Sequence, residues 1–150
     1  LGWMGITAIG FGTFSLENVT SYGDWFVNLR EDYGCSWRGR LVIRDCTWHC
    51  RGRLHPLVRA CNPGTHDFGY ECVLPDVELD GFTVLDAEEA GALSVYSDPD
   101  CGKTRGDHPM RLPEKVTVCG RLRGVKQVTL CGTPGRMTAT RFTAAYTTEA

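Results

Sequence analysis

Several features that mark common protein classes are missing from this sequence. Lysine is scarce, since arginine outnumbers it thirteen to three, and no apolar run reaches the roughly 20 residues that a membrane-spanning helix requires. Residues 1–14 carry no charge and four glycines, and we expect a buried strand or hairpin near Ile6 to Phe14. The net charge of -2 argues against nonspecific binding to nucleic acid. We therefore predict no transmembrane segment and no specific nucleic-acid partner.

Zinc knuckles are missing as well. Structural zinc sites present their ligands as C-x2-C or C-x4-C pairs in matched sets. The nearest approach is Cys46-x3-Cys50, with His49 and His55 close by, and no second knuckle follows it. The sequence therefore predicts no metal site and no cofactor.

Cysteine itself is abundant, and its number is even. Eight cysteines at irregular intervals are typical of an oxidised disulfide framework. A chain of 150 residues can bury a core without cross-links, so the bridges favour an extracellular setting in which they resist proteolysis. The sequon Asn18-Val19-Thr20 agrees with secretion and predicts a glycan on Asn18. The cysteines predicted to form bridges are Cys35, Cys46, Cys50, Cys61, Cys72, Cys101, Cys119 and Cys131.

Alternation of apolar and polar residues predicts strands in much of the chain. In residues 41–50 the even-numbered side chains, among them Cys46 and Trp48, are expected to face the core. The odd-numbered ones, among them Ile43 and His49, are then expected to face solvent.

The C-terminal third has the pattern of a meander. Residues 115–122, 125–131 and 136–146 are predicted strands, and Arg123-Gly124 predicts a tight turn between the first two. We therefore expect a single domain over residues 1–150. Its predicted fold is mainly β, an antiparallel sandwich or barrel-like domain with little helix, cross-linked by disulfides.

Charge is segregated along the chain. Residues 38–59 contain six arginines and one acid, whereas residues 60–102 contain ten acids and no Lys or Arg. One interpretation is that these segments lie side by side on adjacent strands. The other is an arginine-rich surface for an acidic partner, since the guanidinium group suits two-point contacts to carboxylate or phosphate.

A candidate binding surface follows from the arginines and a tryptophan. Aromatic and arginine side chains are enriched at binding hot spots, and Trp37 stands in a polar run that predicts an exposed position. The predicted binding residues are Trp37, Arg38, Arg40 and Arg53.

No catalytic signature is present, and we predict no catalytic residue. A secreted ribonuclease is the alternative function, and it would require several of five side chains to converge in one cleft. Those side chains are His49, His55, His66, His108 and Glu71. Asp86, Glu88 and Glu89 could form a glycosidase carboxylate pair, but an acidic run is more typical of a solvated face.

Three short segments carry a resemblance to a known group. They are residues 95–101 (VYSDPDC), 116–119 (VTVC) and 128–131 (VTLC), and they resemble small secreted cysteine-rich proteins of filamentous fungi, which include β-rich effectors that act on plant hosts. The resemblance implies extracellular delivery, paired cysteines and action by binding.

We therefore predict a secreted, disulfide-stabilised binding protein, a virulence effector or toxin that occupies a partner's surface. The expected partner is a protein or another acidic extracellular molecule. A further alternative is an extracellular protease inhibitor that presents residues 51–63 as a disulfide-braced loop.

Overall fold

A computed structural model describes residues 3–6, 9–10, 12–29, 36–60, 70–98, 110–133 and 135–149. These residues form thirteen strands, so the mainly-β prediction is confirmed. None of them belongs to a helix long and apolar enough to cross a membrane. The strands are β1 (Trp3–Ile6), β2 (Ile9–Gly10), β3 (Thr13–Glu17), β4 (Thr20–Ser21), β5 (Trp25–Leu29), β6 (Ser36–Trp37), β7 (Arg40–Gly52), β8 (Val58–Ala60), β9 (Asp76–Ala87), β10 (Ala92–Tyr96), β11 (Lys115–Arg123), β12 (Gln127–Cys131) and β13 (Arg141–Glu149).

Every pair of neighbouring strands in the described residues is parallel, so the predicted antiparallel sandwich or barrel is wrong. One sheet has the order β1-β5-β8-β10-β12, and a second has the order β13-β11-β9-β7-β3, with β4 also paired to β7. A short third sheet joins β2 to β6. From β7 onwards the chain alternates between the two large sheets, so it winds as a coil. This architecture is a parallel β-helix.

The hairpin predicted between β11 and β12 is wrong, because the two strands lie in different sheets. Gly124 follows β11 with a left-handed φ of 75°, and there the chain leaves one sheet for the other. A Cβ at Gly124 would overlap the backbone oxygen of Val84. The glycine therefore lets one turn of the coil lie directly on the previous one, whereas in a hairpin it would reverse the chain.

Inward-facing side chains stack in columns through the coil. Each column takes one residue from each successive strand, because parallel strands are in register. Burying one such aliphatic side chain contributes about 1.5–3 kcal/mol. Two columns whose members are at most 2% exposed are Leu41, Val77, Val116 and Ile43, Leu79, Val118.

A column of left-handed residues bends the larger sheet. Its members are Asn18, Asp45, Gly81 and Gly120, with φ angles of 55°, 50°, 71° and 75°. The Asp45 carboxylate lies over Gly81, where a Cβ would come within 2.5 Å of Oδ1. Glycine adopts this backbone angle at Gly81 without the strain that a larger residue would have, and its lack of a side chain leaves room for the Asp45 carboxylate.

The bend at Asp45 also explains an error in the predicted faces of β7. Cys46, Trp48 and the half-exposed His49 lie as predicted. Ile43 was expected to face solvent but is fully buried. The left-handed residue changes the alternation, so the inward parity is odd before it and even after it.

The prediction of a disulfide cross-linked fold is wrong, since no disulfide joins any two of the described cysteines. Cys46, Cys50, Cys119 and Cys131 are free thiols, and Cys72 is buried. The physical reason is the register, because Cys46 lies opposite Phe82 and Cys119 lies opposite Asp80. The remaining cysteines, Cys35, Cys61 and Cys101, lie outside the described residues.

Candidate functional site

Trp37 does not lie on the surface as predicted. It is 6% exposed, its indole Nε1 donates a hydrogen bond to the Gly12 carbonyl at 2.9 Å, and its ring meets that of Phe14 edge-on at 6.3 Å. The residues next to Trp37 in the sequence lie at a corner of the coil. The indole packs on the inner side of that corner. This tryptophan therefore packs inside the fold and is not available as a surface contact.

The three predicted binding arginines do not form one patch. Arg38 lies just before β7 at the mouth of a groove, and Arg40 begins that strand and approaches Glu78 at 3.6 Å. Arg53 is exposed but follows the far end of the same 13-residue strand. Two of the three are thus neighbours, and the third belongs to another corner of the coil.

Oppositely charged segments do lie side by side, as one of the two interpretations predicts. Arg44 on β7 contacts three carboxylates on the adjacent strands. The distances are 2.9 Å to Glu17, 3.3 Å to Glu78 and 3.6 Å to Asp80. Here the arginine charge is largely matched within the chain, so this part of the sheet offers little attraction to an acidic partner.

The groove beside Arg38 is different, because its arginines make only long contacts to the carboxylates of the described residues. Guanidinium nitrogens of Arg38 and Arg111 both lie 3.9 Å from Oε2 of Glu71, which is beyond hydrogen-bonding distance. Their side chains are 48% and 46% exposed. The groove has a volume of about 160 Å³, and its lining residues are Arg38, Gly39, Val73, Leu74, Asp76, Arg111, Leu112 and Glu114.

The acids of this groove differ in how they are satisfied. Asp76 Oδ1 accepts backbone hydrogen bonds from Glu114 and Lys115, each at 2.9 Å, so it has a structural role. Glu114 is 77% exposed and 3.8 Å from Arg111. The guanidinium groups therefore keep donors that a bound carboxylate or phosphate could use.

A second cluster lies at another corner of the coil. The rings of Tyr22 and His49 stack with centroids 4.3 Å apart and planes 11° apart. His49 Nδ1 lies 2.5 Å from Asp86 Oδ2, and Leu85 pairs with His49 in register. We call these four residues the Tyr22 corner.

Exposure and backbone conformation set the Tyr22 corner apart. Tyr22 is 59% exposed and Leu85 is 40% exposed, so two large side chains at this corner are open to solvent. Asp86 has a φ of 61°, a left-handed conformation that aspartate adopts more readily than most residues. Its carboxylate lies against Nδ1 of the imidazole, so this nitrogen is the hydrogen-bond donor and the carboxylate is the acceptor.

The two described histidines have different surroundings. His55 contacts Trp25, with ring centroids 5.5 Å apart, and the Arg59 guanidinium lies 5.0 Å from the Trp25 ring centroid. His66 and His108 lie outside the described residues. Glu71 has the arginine contacts given above, so the described members of the ribonuclease set each have different partners.

The free thiols are poorly suited to act as nucleophiles. Burial raises the pKa of Cys46, Cys50, Cys119 and Cys131 above the ordinary value for a thiol. Since the thiolate is the reactive form, little of it is present at neutral pH. Among the described residues, no three His, Cys, Asp or Glu side chains come together in a way that could hold a metal ion.

Comparison with known proteins finds no similar chain. No protein-family model, curated protein or solved structure matches the chain. The resemblance to fungal secreted proteins therefore stays limited to three short segments. The arginine groove and the Tyr22 corner are the structural basis for a function.

Sequence reasoning found Arg38 but missed Arg111, its counterpart across Glu71. These two arginines are far apart in the chain and meet because residues 73 and 111 form a parallel bridge. Tyr22 and His49 were likewise not connected, although Ser21 pairs with Trp48 one position earlier. A regular repeat would have predicted such neighbours, and the sequence has none.

Proposed function

We propose that the protein is a secreted binding protein that holds a carboxylate-bearing partner in the groove between Arg38 and Arg111. The proposal is carried by one observation, the position of both guanidinium groups 3.9 Å from the same Glu71 oxygen. A partner's carboxylate placed in the groove would gain two-point hydrogen bonds that Glu71 does not make.

The scaffold supports a role in binding. Arg38 and Arg111 are held next to parallel strands whose backbone groups are already hydrogen-bonded. The Trp37 backbone N–H donates to Val73, and the Arg111 backbone N–H donates to Cys72, both at 2.8 Å. The arginine backbones are therefore fixed before a partner arrives, which lowers the entropic cost of binding.

Secretion now depends on the sequon, because the disulfide argument no longer applies to the described cysteines. Asn18 is exposed at the bend after β3, as an acceptor for a glycan must be. The effector role implied by the fungal resemblance stays a prediction. The protease-inhibitor alternative required a disulfide to brace the loop of residues 51–63. It loses support because Cys50, which directly precedes that loop, is a free thiol.

The test uses a fluorescent hexaglutamate peptide as the carboxylate probe and hexaglutamine as the neutral control. A charge-assisted hydrogen bond contributes about 1.5–3 kcal/mol, so Arg38→Ala and Arg111→Ala should each weaken binding about tenfold to a hundredfold. Arg53→Ala is the matched control, since Arg53 is exposed elsewhere and makes no ion pair with a described residue.

A further variant is expected to change the affinity for hexaglutamate in the opposite direction. Glu71→Gln removes the carboxylate that competes for both arginines, so it should tighten hexaglutamate binding. Unchanged affinity in both arginine variants, an equal loss in Arg53→Ala, or weaker binding by Glu71→Gln would each contradict the proposal. Circular dichroism checks that every variant is folded.

A further inference from the structure

We infer that the Tyr22 corner is a second binding site, and that its ligand is a neutral saccharide. It is formed by different residues from the arginine groove and does not depend on the function proposed for that groove. The inference follows from the stacked ring, the fixed acceptors beside it and the exposure of both.

The flat surface of the site is the Tyr22 ring. One of its faces lies against His49, so the 59% of the residue that is exposed belongs to the other face and the ring edge. His49 fixes the ring in place, and it therefore meets a ligand at little cost in side-chain entropy. A pyranose ring offers a matching face of C–H groups.

The polar groups beside the ring are acceptors. The Asp86 carboxylate has a second oxygen beyond the one that meets His49 Nδ1, and in the imidazole tautomer with its proton on Nδ1 the other ring nitrogen, Nε2, is an acceptor. A ligand for these groups must bring donors. Saccharide hydroxyls do so around the whole rim of the sugar ring.

Other ligand classes fit the corner less well. An anion would meet the Asp86 carboxylate, with exposed Glu88 and Glu89 close behind it in sequence. A purely apolar ligand would bury the Asp86 and His49 acceptors without partners, which is unfavourable. A cationic peptide could satisfy the acids, but the exposed Arg51 and Arg53 follow His49 closely in sequence, so residues of both charges flank the corner along the chain.

The experiment screens the folded protein on an array of neutral, sulfated and carboxylated oligosaccharides, and then titrates the best neutral one by calorimetry. Tyr22→Ala should weaken neutral binding about tenfold or more, because the stacking surface is lost. Asp86→Asn should weaken it by about tenfold, because an acceptor-only group becomes a partial donor.

The matched control is Tyr70→Ala. Tyr70 is also partly exposed, at 36%, but it neighbours Glu71 at the groove, so neutral binding should not change. Neutral binding should also be nearly insensitive to salt, whereas a cationic ligand would be released as ionic strength rises.

Four results would overturn the inference. The first three are capture of no neutral oligosaccharide, equal loss in Tyr22→Ala and Tyr70→Ala, and salt-sensitive binding of a lysine peptide that Asp86→Asn abolishes. Capture of carboxylated glycans alone, lost in Arg38→Ala, would also overturn it and would support the groove instead. The two proposals can therefore fail separately.

Discussion

The close stacking of successive coils can be tested with two glycines that differ in one respect. Gly124 and Gly135 both have left-handed backbones, with φ angles of 75° and 83°. A Cβ at Gly124 would overlap the Val84 carbonyl, whereas a Cβ at Gly135 would meet no atom of the described residues within 4 Å. Comparing the alanine variants at the two positions therefore separates two contributions to the loss of stability. One is the cost of the left-handed backbone, and the other is the cost of the steric overlap.

The expected magnitudes follow from that difference. A left-handed conformation costs a non-glycine residue about 1–2 kcal/mol, and this is the whole expected loss of unfolding free energy for Gly135→Ala. Gly124→Ala carries the same backbone cost and must also displace the Val84 carbonyl, which lies within the ladder. We therefore expect a total loss of unfolding free energy of at least about 3 kcal/mol, as for other severe core changes.

Urea denaturation followed by circular dichroism measures both variants against the unmodified chain. The midpoint should fall much further for Gly124→Ala, with a slope close to that of the unmodified chain because the surface exposed on unfolding is similar. Equal losses in the two variants would refute the reasoning, since it requires the backbone of one coil to touch the next at Gly124.

Two further predictions concern the thiols and one concerns the sequon. Thiol titration of denatured, unreduced protein should detect at least four sulfhydryls per chain, those of Cys46, Cys50, Cys119 and Cys131, and fewer would contradict the fold. Because burial raises the pKa of these thiols, the stability they provide is fully present below the unfolded thiol pKa. Stability should fall as pH rises past about 9, as urea midpoints across pH 7–10 would show, and a midpoint constant over that range would disagree. Expression through a eukaryotic secretory pathway should add a glycan mass that Asn18→Gln and Thr20→Ala both remove; a mass shift that survives Asn18→Gln would place the glycan elsewhere.

The strand content of this protein could be predicted from alternation, but the way its strands associate could not. Cys46 and Trp48 are buried because alternation after the bend is regular, and the same rule failed at Ile43 because Asp45 is left-handed. Nothing in a single aspartate predicts that conformation. It becomes intelligible only when Asp45 is seen beside Gly81 in the next coil.

The parallel topology was hidden by irregular spacing. A β-helix is normally recognised in a sequence by a fixed repeat length. Here the spacing is irregular, because paired residues on successive strands are 27, 36, 39 and 26 positions apart. The pairs are Thr13 with Arg40, Arg40 with Asp76, Val77 with Val116, and Val116 with Phe142. Without a repeat, the glycines between β-type segments were interpreted as hairpin turns.

The candidate site was predicted in part. Arg38 was identified from its chemistry, but the distant residue that completes the groove could not be, because only pairing between coils brings Arg111 to it. Trp37 was predicted to be exposed because its polar neighbours in the sequence are typical of a loop. Those neighbours do not indicate the hydrogen bond from the indole to the Gly12 carbonyl. The Tyr22 corner combines residues from three strands or their ends, and no local pattern connects them.

The unequal turn lengths have a consequence for how such a molecule can change. Each coil contacts only the coils above and below it, so the structure behaves as a one-dimensional stack whose stability is a sum of neighbour terms. Residues gained or lost at a corner lengthen or shorten a loop, at a cost that grows slowly with its length, and leave the ladder as it was. New loops could therefore be grafted at one corner while the opposite corner keeps its structure.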